Sequence, residues 1–117
     1  MNNNTTTNNA MNASPIEEIP VRELFPGFNA RIIHTDNVTI AHVEIKGGSQ
    51  LPEHFHVHEQ AIQLMSGTFE FTLEGETKVF DKPTIITVPS NQKHSGKAIT
   101  DCKIIDVSYP VIEDFRK

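Results

Sequence analysis

The sequence predicts an all-β fold, a small β-barrel or jelly roll built as one domain. From Ala30 onward, short runs of β-branched and aromatic residues are separated by turn-forming residues, at the spacing typical of antiparallel β proteins. The run Thr68–Glu74 alternates apolar and polar side chains, which indicates a strand with one buried face. No amphipathic pattern is long enough for a stable helix. We therefore expect strands packed around a single core.

Seven runs predict the strands in chain order. They are Ala30–His34, Val38–Lys46, Gln60–Met65, Thr68–Glu74, Lys78–Phe80, Ile85–Val88 and Lys103–Ser108. The intervals between them are rich in Gly, Pro, Asn, Asp and Ser, which favour turns. Before the first run, Pro20, Pro26 and Gly27 argue against a long helix.

The length and composition indicate one folded domain preceded by a tail. The chain has 117 residues, close to the typical size of a single domain. Residues 1–13 are almost entirely Asn and Thr, so we expect a disordered tail over residues 1–14 and the domain over residues 15–117. The tail lacks the basic start and apolar stretch of a secretory signal, and no apolar run reaches the ~20 residues that cross a bilayer. We expect a cytoplasmic protein without membrane contact.

The charge balance argues against a nucleic-acid partner. The chain has 10 Lys and Arg residues and 15 Asp and Glu residues, a net charge of −5, and it has no basic cluster. Binding to a phosphate backbone depends on clustered positive charge. We therefore expect no nucleic-acid partner.

Histidines are concentrated near the middle of the chain. His54 and His56 are two residues apart, and on an extended strand such residues point the same way, with Cα atoms ~6.6 Å apart. Two imidazoles on one side suit one metal ion, at ~2.0–2.1 Å from each nitrogen for a metal such as zinc. A strand histidine more often packs or faces solvent, so a metal site needs further ligands. The candidates are His58, Gln60 and His94.

The order of features around the pair resembles the two signatures of the cupin superfamily. The first signature is matched by a glycine, the histidine pair, a later polar residue and a second glycine: Gly48, His54, His56, Gln60 and Gly67. The segment Pro89–His94 resembles the second signature, although Asn91 stands where the family has glycine. The resemblance extends from Ile32 to Phe115 and implies a single-domain cupin, a double-stranded β-helix.

The resemblance implies four ligands for one divalent transition metal inside the barrel. They are His54, His56, Gln60 and His94. Nickel, zinc, iron, manganese or copper could occupy such a site, and the affinity order alone does not choose among them. Position 60 is Gln where many cupins have Glu, so the ligand set is neutral and favours an anionic substrate. His58 is then expected at the rim, and His34 and His42 on strands, with His42 able to face the cavity.

Within the superfamily, three segments resemble the small KdgF-type cupins: residues 54–60, 69–78 and 106–115. That family linearises 4,5-unsaturated monouronates released by pectin and alginate lyases, and its members are cytoplasmic and usually dimeric. The resemblance implies a metal-dependent enzyme of the lyase or isomerase type that converts a cyclic enol-uronate to a linear keto acid. The partner would be an anionic sugar.

Asp106 is the candidate acid–base residue. It shares one face of a predicted strand with Cys102, Ile104 and Ser108, and an acid among apolar neighbours indicates a function. The alternative is an aspartate at the surface or at a dimer contact. Whether Asp106 is an acid–base residue or lies at the surface or a dimer contact, other residues must bind the substrate carboxylate.

The residues that would bind the substrate differ from the family pattern. The KdgF-type tail usually carries an aromatic residue and an arginine where this chain has Ser108 and Ile112. Arginine recognises a carboxylate through two hydrogen bonds, and isoleucine cannot. Arg31, Arg116 or the metal is expected to bind the carboxylate instead, unless the substrate differs, and Tyr109 is the candidate for an aromatic wall.

Two other functions stay open, together with the oligomeric state. The chain could be an iron or copper cupin dioxygenase, because histidine-rich cupin sites also support oxygen chemistry. It could also be a non-catalytic, metal-containing sugar-binding or sensor cupin, for which the missing arginine is the evidence. A homodimer is expected, because a small β domain with exposed edge strands is stabilised by covering them.

Overall fold

The computed structural model describes residues 11–116, so most of the predicted tail, residues 1–10, and Lys117 lie outside the described residues. Residues 11–14 are exposed and have no regular secondary structure. The described part of the chain contains ten strands and two short 3₁₀ segments, Ile16–Glu18 and Glu113–Arg116. The strands are β1 (Val21–Phe25), β2 (Phe28–His34), β3 (Thr39–Ile45), β4 (Gln50–His54), β5 (Glu59–Ser66), β6 (Phe69–Leu73), β7 (Glu76–Phe80), β8 (Thr84–Val88), β9 (His94–Ala98) and β10 (Cys102–Tyr109). No helix in this part of the chain has the length and hydropathy to cross a membrane.

The strands form two antiparallel sheets, which confirms the all-β prediction. One sheet has six strands in the order β1-β2-β3-β10-β5-β8, and the other has four in the order β4-β9-β6-β7. Strand β10 lies between β3 and β5, and it pairs with both along most of its length. Its inward-facing side chains therefore lie at the centre of the larger sheet.

Three strands of the structure were not predicted: β1, β4 and β9. Strand β1 pairs with β2 through the turn at Pro26 and Gly27, the same residues that argued against a helix. Strand β4 contains a proline and β9 contains Gly96, and both residue types are depleted in strands. These two strands pair with each other, so their conformation depends on tertiary contacts more than on local sequence.

The core fills the space between the sheets. Its buried apolar side chains are Phe28, Ala30, Ala41, Val43, Ile45, Ile62, Leu64, Phe69, Phe71, Val88, Ala98, Cys102 and Ile104. The predicted alternation in β6 is confirmed, because Phe69 and Phe71 are buried while Glu70 is partly exposed. Both sheets present one apolar face inward, and the functional residues are carried on these same faces.

Candidate metal centre

Three histidine rings converge between the ends of the two sheets. The ring centroids of His54 and His94 are 4.2 Å apart, those of His54 and His56 are 5.5 Å apart, and those of His56 and His94 are 5.2 Å apart. One ring nitrogen from each residue lies within 4.8 Å of the others. Two nitrogens bound to one ion at about 2.1 Å are at most about 4.2 Å apart. Small ring movements would therefore bring all three to a common ion.

Two of the three rings are held by paired strands. His54 is the last residue of β4 and His94 the first of β9, and the two are direct partners in the ladder. Residues opposite each other on antiparallel strands have neighbouring side chains. The cluster is thus built by the β4–β9 pair, which joins the two separated motifs.

The third ring is held differently from the prediction, because β4 ends at His54 and His56 lies in the connection to β5. The carbonyl oxygen of His56 accepts a hydrogen bond from the Asn91 backbone amide at 2.8 Å, and the Ser90 hydroxyl donates to the Val57 carbonyl at 2.6 Å. Asn91 has a φ of 64°, a left-handed conformation that Asn tolerates better than most residues. This turn, at the position where glycine is usual, anchors the loop that carries His56.

In two of the imidazoles, Nδ1 is hydrogen-bonded to a backbone carbonyl, which leaves Nε2 free to bind a metal. Nδ1 of His54 donates to the Pro52 carbonyl at 2.8 Å, and Nδ1 of His94 donates to the Gln92 carbonyl at 2.9 Å. A carbonyl oxygen only accepts, so in each neutral ring Nε2 carries the lone pair. In metal-binding histidines, the ring nitrogen that does not bind the metal commonly makes a hydrogen bond of this type.

Several buried polar atoms of the site have no hydrogen-bond partner among the described residues. They are His56 Nδ1, Gln60 Oε1 and His94 Nε2. Buried polar atoms are nearly always satisfied, and three exceptions that line one cavity require an explanation. A divalent cation would satisfy imidazole nitrogens and an amide oxygen together, so the residues present fit a metal ion.

Burial and neighbouring imidazoles lower the pKa of two rings of the cluster, His56 and His94. Burial, and then the neighbouring histidines His94, His54 and His58, lower the pKa of His56. Burial and the proximity of His54 lower the pKa of His94, although the Gln92 carbonyl acts in the opposite direction. Metal binding needs the unprotonated imidazole, so these shifts favour binding at neutral pH.

Gln60 and Asp106 form a hydrogen-bonded pair beside the histidines. Gln60 Nε2 donates to Asp106 Oδ2 at 2.9 Å and to Oδ1 at 3.2 Å. Because an ionised carboxylate can only accept, the amide nitrogen faces Asp106 and Oε1 points away from it. Burial raises the pKa of Asp106 to about 6, although the Gln60 hydrogen bond opposes that shift. A carboxyl group with this pKa can accept and release a proton near neutral pH.

The cluster opens into a cavity of about 380 Å³ between the sheets. Its polar lining consists of the histidine cluster with His58, Gln60, Asp106 and Asp114. Its apolar lining includes Leu24, Phe25, Phe28, Val43, Ile45, Leu51, Ile62, Phe69, Phe71, Ile104, Ile112 and Phe115. His58 lies near His56, with the ring centroids 5.1 Å apart, and it is not part of the three-histidine cluster.

The structure does not bring Arg31 or Tyr109 to this cavity. Nη1 of Arg31 donates to the carbonyls of Ile16, Glu17 and Ile19, so it holds the chain segment before β1. Tyr109 is 53% exposed at the end of β10. Both residues belong to the outward-facing set of their strands, because the buried residues of β2 and β10 alternate with them.

The other two predicted strand histidines also lie away from the cluster. Nδ1 of His34 is 2.9 Å from the Thr39 hydroxyl, at the end of the β2–β3 pair. The possibility that His42 faces the cavity is wrong. His42 alternates with the buried residues Ala41 and Val43 on β3, so its side chain lies on the outer face.

Part of the cavity wall comes from residues that the sequence did not assign to a site. Leu24 and Phe25 of β1, and Ile112 and Phe115 near the C-terminus, line the cavity. Arg22 connects these segments, because its Nη1 donates to the Phe115 carbonyl at 2.6 Å and its guanidinium lies 5.5 Å from the Phe115 ring centroid. Apolar residues near the termini were the only sequence signal for this wall.

A family model of the cupin domain matches residues 41–108 of the chain. The chain belongs to the cupin family. The predicted fold and family are therefore confirmed. The comparison with curated proteins gave no match.

Solved structures of other cupins superpose on most of the chain. The structure of KdgF from Halomonas sp. has a TM-score of 0.79 and 26% identity, covering 85% of this chain and 93% of that one. An RmlC-like cupin from Shewanella frigidimarina NCIMB 400 has a TM-score of 0.84 and 21% identity, covering 91% and 96%. Salicylate 1,2-dioxygenase from Pseudoaminobacter salicylatoxidans, in its adducts with gentisate, has a TM-score of 0.70 and 19% identity, covering 74% and 26%. The last two similarities concern the fold alone.

Proposed function

We propose that this cupin is a metal-dependent enzyme that moves a proton between oxygen and carbon of a small enol carboxylate, with 4,5-unsaturated monouronates as the first candidate substrates. The observation that carries the proposal is the position of Asp106. A carboxyl group whose pKa is about 6 lines the same cavity as three converging imidazoles. The similarity to KdgF, at 26% identity over most of both chains, supports the choice of substrate.

The proposed metal ligands are His54, His56, His94 and the Oε1 atom of Gln60. An ion bound there would supply positive charge for a substrate carboxylate and for an oxygen on which negative charge develops. Asp106 orients the Gln60 amide through its hydrogen bonds. This ligand set adds no negative charge of its own.

Asp106 carries the proposed proton transfer. In its ionised form it accepts the proton of the hemiacetal hydroxyl as the ring C–O bond breaks, which leaves an aldehyde and an enolate. In its protonated form it returns a proton to the enol carbon and completes the keto acid. The reaction is an isomerisation, so no other reactant is needed. A pKa near 6 suits both steps near neutral pH.

The test is proton NMR of a lyase-generated unsaturated monouronate mixed with metal-loaded protein. We expect the signals of the cyclic form to disappear faster than in buffer, and we expect His54→Ala and Asp106→Asn to remove the acceleration. No acceleration with fully loaded protein would reject the proposal. Calorimetric binding of the uronate without product would instead indicate a binding or sensor cupin.

The composition of the cavity favours a second candidate, an oxygen-dependent reaction at iron or copper. Most lining residues are apolar, and several are aromatic. Such a surface suits a flat, hydrophobic substrate, and clustered imidazoles suit iron and copper. Oxygen uptake by the iron-loaded protein in the presence of aromatic carboxylates would support this candidate. Uronate turnover without oxygen uptake would exclude it.

A further inference from the structure

The cavity has one polar end and one apolar end, and the pairing of the strands fixes their positions. In the six-stranded sheet, Asp106 lies opposite Ile62, and the next inward residue, Ser108, lies opposite Gln60. The inward residue on the other side of Asp106, Ile104, lies between Leu64 of β5 and Val43 of β3. The polarity of the wall therefore changes along β10.

The four-stranded sheet shows the same change. His54 and His94 are ladder partners at one end. Further along the same strands, Leu51 lies opposite Gly96, which in turn lies opposite Phe71. Both sheets therefore line the cavity with apolar residues that begin beside the histidine cluster, where the ring centroid of Phe71 lies 6.0 Å from that of His94.

Gly96 contributes to the shape of the apolar end. A Cβ atom at this position would lie 2.8 Å from Cζ of Phe69, which is closer than van der Waals contact allows. The absence of a side chain thus leaves room for the Phe69 ring against β9. The Phe69 ring packs in the core and also lines the cavity.

The lining has no fixed positive charge. Among the described residues that line the cavity, none is Lys or Arg, and two are acidic, Asp106 and Asp114. An anionic group of a ligand can therefore be bound favourably only at the proposed metal centre. Hydroxyl groups at the apolar end would lose their hydrogen bonds to water without replacement, whereas an apolar group would gain from leaving water.

We propose that the apolar end is a subsite for a hydrophobic substituent, so that the preferred ligand is a small carboxylate bound at the metal with an aliphatic or aromatic group beyond it. The subsite walls include Val43, Ile45, Leu51, Phe71 and Ile104. A cavity of about 150 Å³ already holds benzene, so about 380 Å³ is sufficient for a substituted ring. This inference rests on the proposed metal centre; it favours acids with few hydroxyl groups, as in the second candidate function, over the uronate.

The experiment compares three probes on the zinc-loaded protein by isothermal titration calorimetry: acetate, 3-phenylpropionate and galacturonate. We expect 3-phenylpropionate to bind at least ten-fold more tightly than either of the others, and we expect its binding to be lost in the metal-free protein. Equal affinities, or tighter binding of galacturonate, would overturn the inference. Cobalt-loaded protein gives an independent readout, because carboxylate coordination changes its visible absorption.

A matched pair of variants tests where the selectivity arises. Val43→Thr adds a hydroxyl to the subsite with little change in volume, and Val88→Thr adds one to a buried position outside the cavity lining. We expect Val43→Thr to reduce the preference for 3-phenylpropionate over acetate at least three-fold, and Val88→Thr to leave it unchanged. If Val43→Thr does not fold, Ile112→Asn is the substitute, because Ile112 lines the cavity from outside the sheets.

The outcomes separate this inference from the proposed function. Selective, metal-dependent binding without uronate turnover would reject the uronate as substrate and support the subsite. Uronate turnover with no preference among the three probes would support the proposed function and overturn the subsite. Loss of the preference in both Val43→Thr and Val88→Thr would also count against the subsite.

Discussion

His94 has the most constrained environment of the proposed ligands. It is 3% exposed, and its Nδ1 donates to the Gln92 carbonyl. Its Nε2 is buried and has no partner in the described part of the chain. Leaving a buried polar atom unsatisfied costs about 1–3 kcal/mol, and an ion at this position would remove that cost. The ring is therefore positioned in a way that favours metal binding before any ion is present.

We predict that His94→Ala lowers metal affinity at least a hundred-fold, because it removes one of three imidazole ligands from the cluster. The measurement is the metal content of the desalted protein by elemental analysis, followed by competition with a chelator. The matched control is His42→Ala, which removes a strand histidine from the outer face. Retention of a full equivalent of metal by His94→Ala would contradict the ligand assignment.

Asp106 makes a pH-dependent contribution to stability. Its pKa rises from 3.8 to about 6 on folding, so the folded state binds more protons between these values than the unfolded state. Stability from this group is therefore full below pH 3.8 and is lost as the pH rises through 6. The cause is the burial of a carboxylate that only one amide partner hydrogen-bonds.

We predict that the effect of Asp106→Asn on the free energy of unfolding of the metal-free protein is more favourable at pH 7.5 than at pH 4.5. The difference between the two pH values is about 2 kcal/mol. Asparagine stays neutral, so the variant does not bury a charge at the higher pH. Urea unfolding of both proteins in the presence of a chelator measures the difference, and the histidines contribute equally to both. The same stability difference at the two pH values would show that the pKa of Asp106 is not raised.

At the scale of elements, the tight turns hold the strands in register. Gly67, between β5 and β6, has a φ of 95°, and a Cβ there would lie 2.2 Å from the Asp101 carbonyl oxygen. Gly75, between β6 and β7, has a φ of 84°, and a Cβ there would meet nothing within 4 Å. The two glycines share a backbone conformation but differ in how closely another segment approaches.

We predict that Gly67→Ala lowers the free energy of unfolding by about 3 kcal/mol or more, and Gly75→Ala by about 1 kcal/mol. Both variants place alanine at a positive φ, which costs about 1–2 kcal/mol. Only Gly67→Ala also pushes its Cβ atom against the backbone of Asp101 and Cys102, so that the two segments must move apart. Chemical denaturation followed by circular dichroism gives both values. Equal losses would mean that the contact with Asp101 is relaxed easily.

Local sequence predicted most strands but not the pair that builds the site. The alternation in β6 and the β-branched residues of β3, β5 and β10 indicated which faces are buried. Strands β4 and β9 contain His, Pro and Gly residues, which carry weak local preference for a strand, and they form because each is paired. The spacing of the motifs nevertheless identified all three clustered histidines.

At the scale of the whole molecule, the cavity wall was the hardest feature to predict. Leu24, Val43, Phe71 and Phe115 come from distant parts of the chain and meet only through the order of the strands. Single apolar residues in a sequence do not distinguish a packed core from a cavity lining. The inward position of Asp106 was predictable, because strand parity alone determines it.

On the outer face of the six-stranded sheet, a row of apolar side chains crosses neighbouring strands. Ile33 lies opposite Ile40, Ile40 opposite Val107, and Val107 opposite Ala61. Ile33 is 40% exposed in the single chain, and contiguous exposed apolar surface commonly marks an interface. Two copies that pair through this row would cover it, so we expect the interface of the homodimer on this face.

We predict that the protein is a dimer at micromolar concentration and that Ile33→Lys raises its dissociation constant at least ten-fold, because two buried lysines would face the same apolar row across a two-fold axis. Light scattering coupled to size-exclusion chromatography measures the mass. The control is Val79→Lys, at an exposed position on edge strand β7 of the other sheet. A monomeric parent protein, or equal effects of the two substitutions, would exclude this face as the interface, since only one of them alters the row.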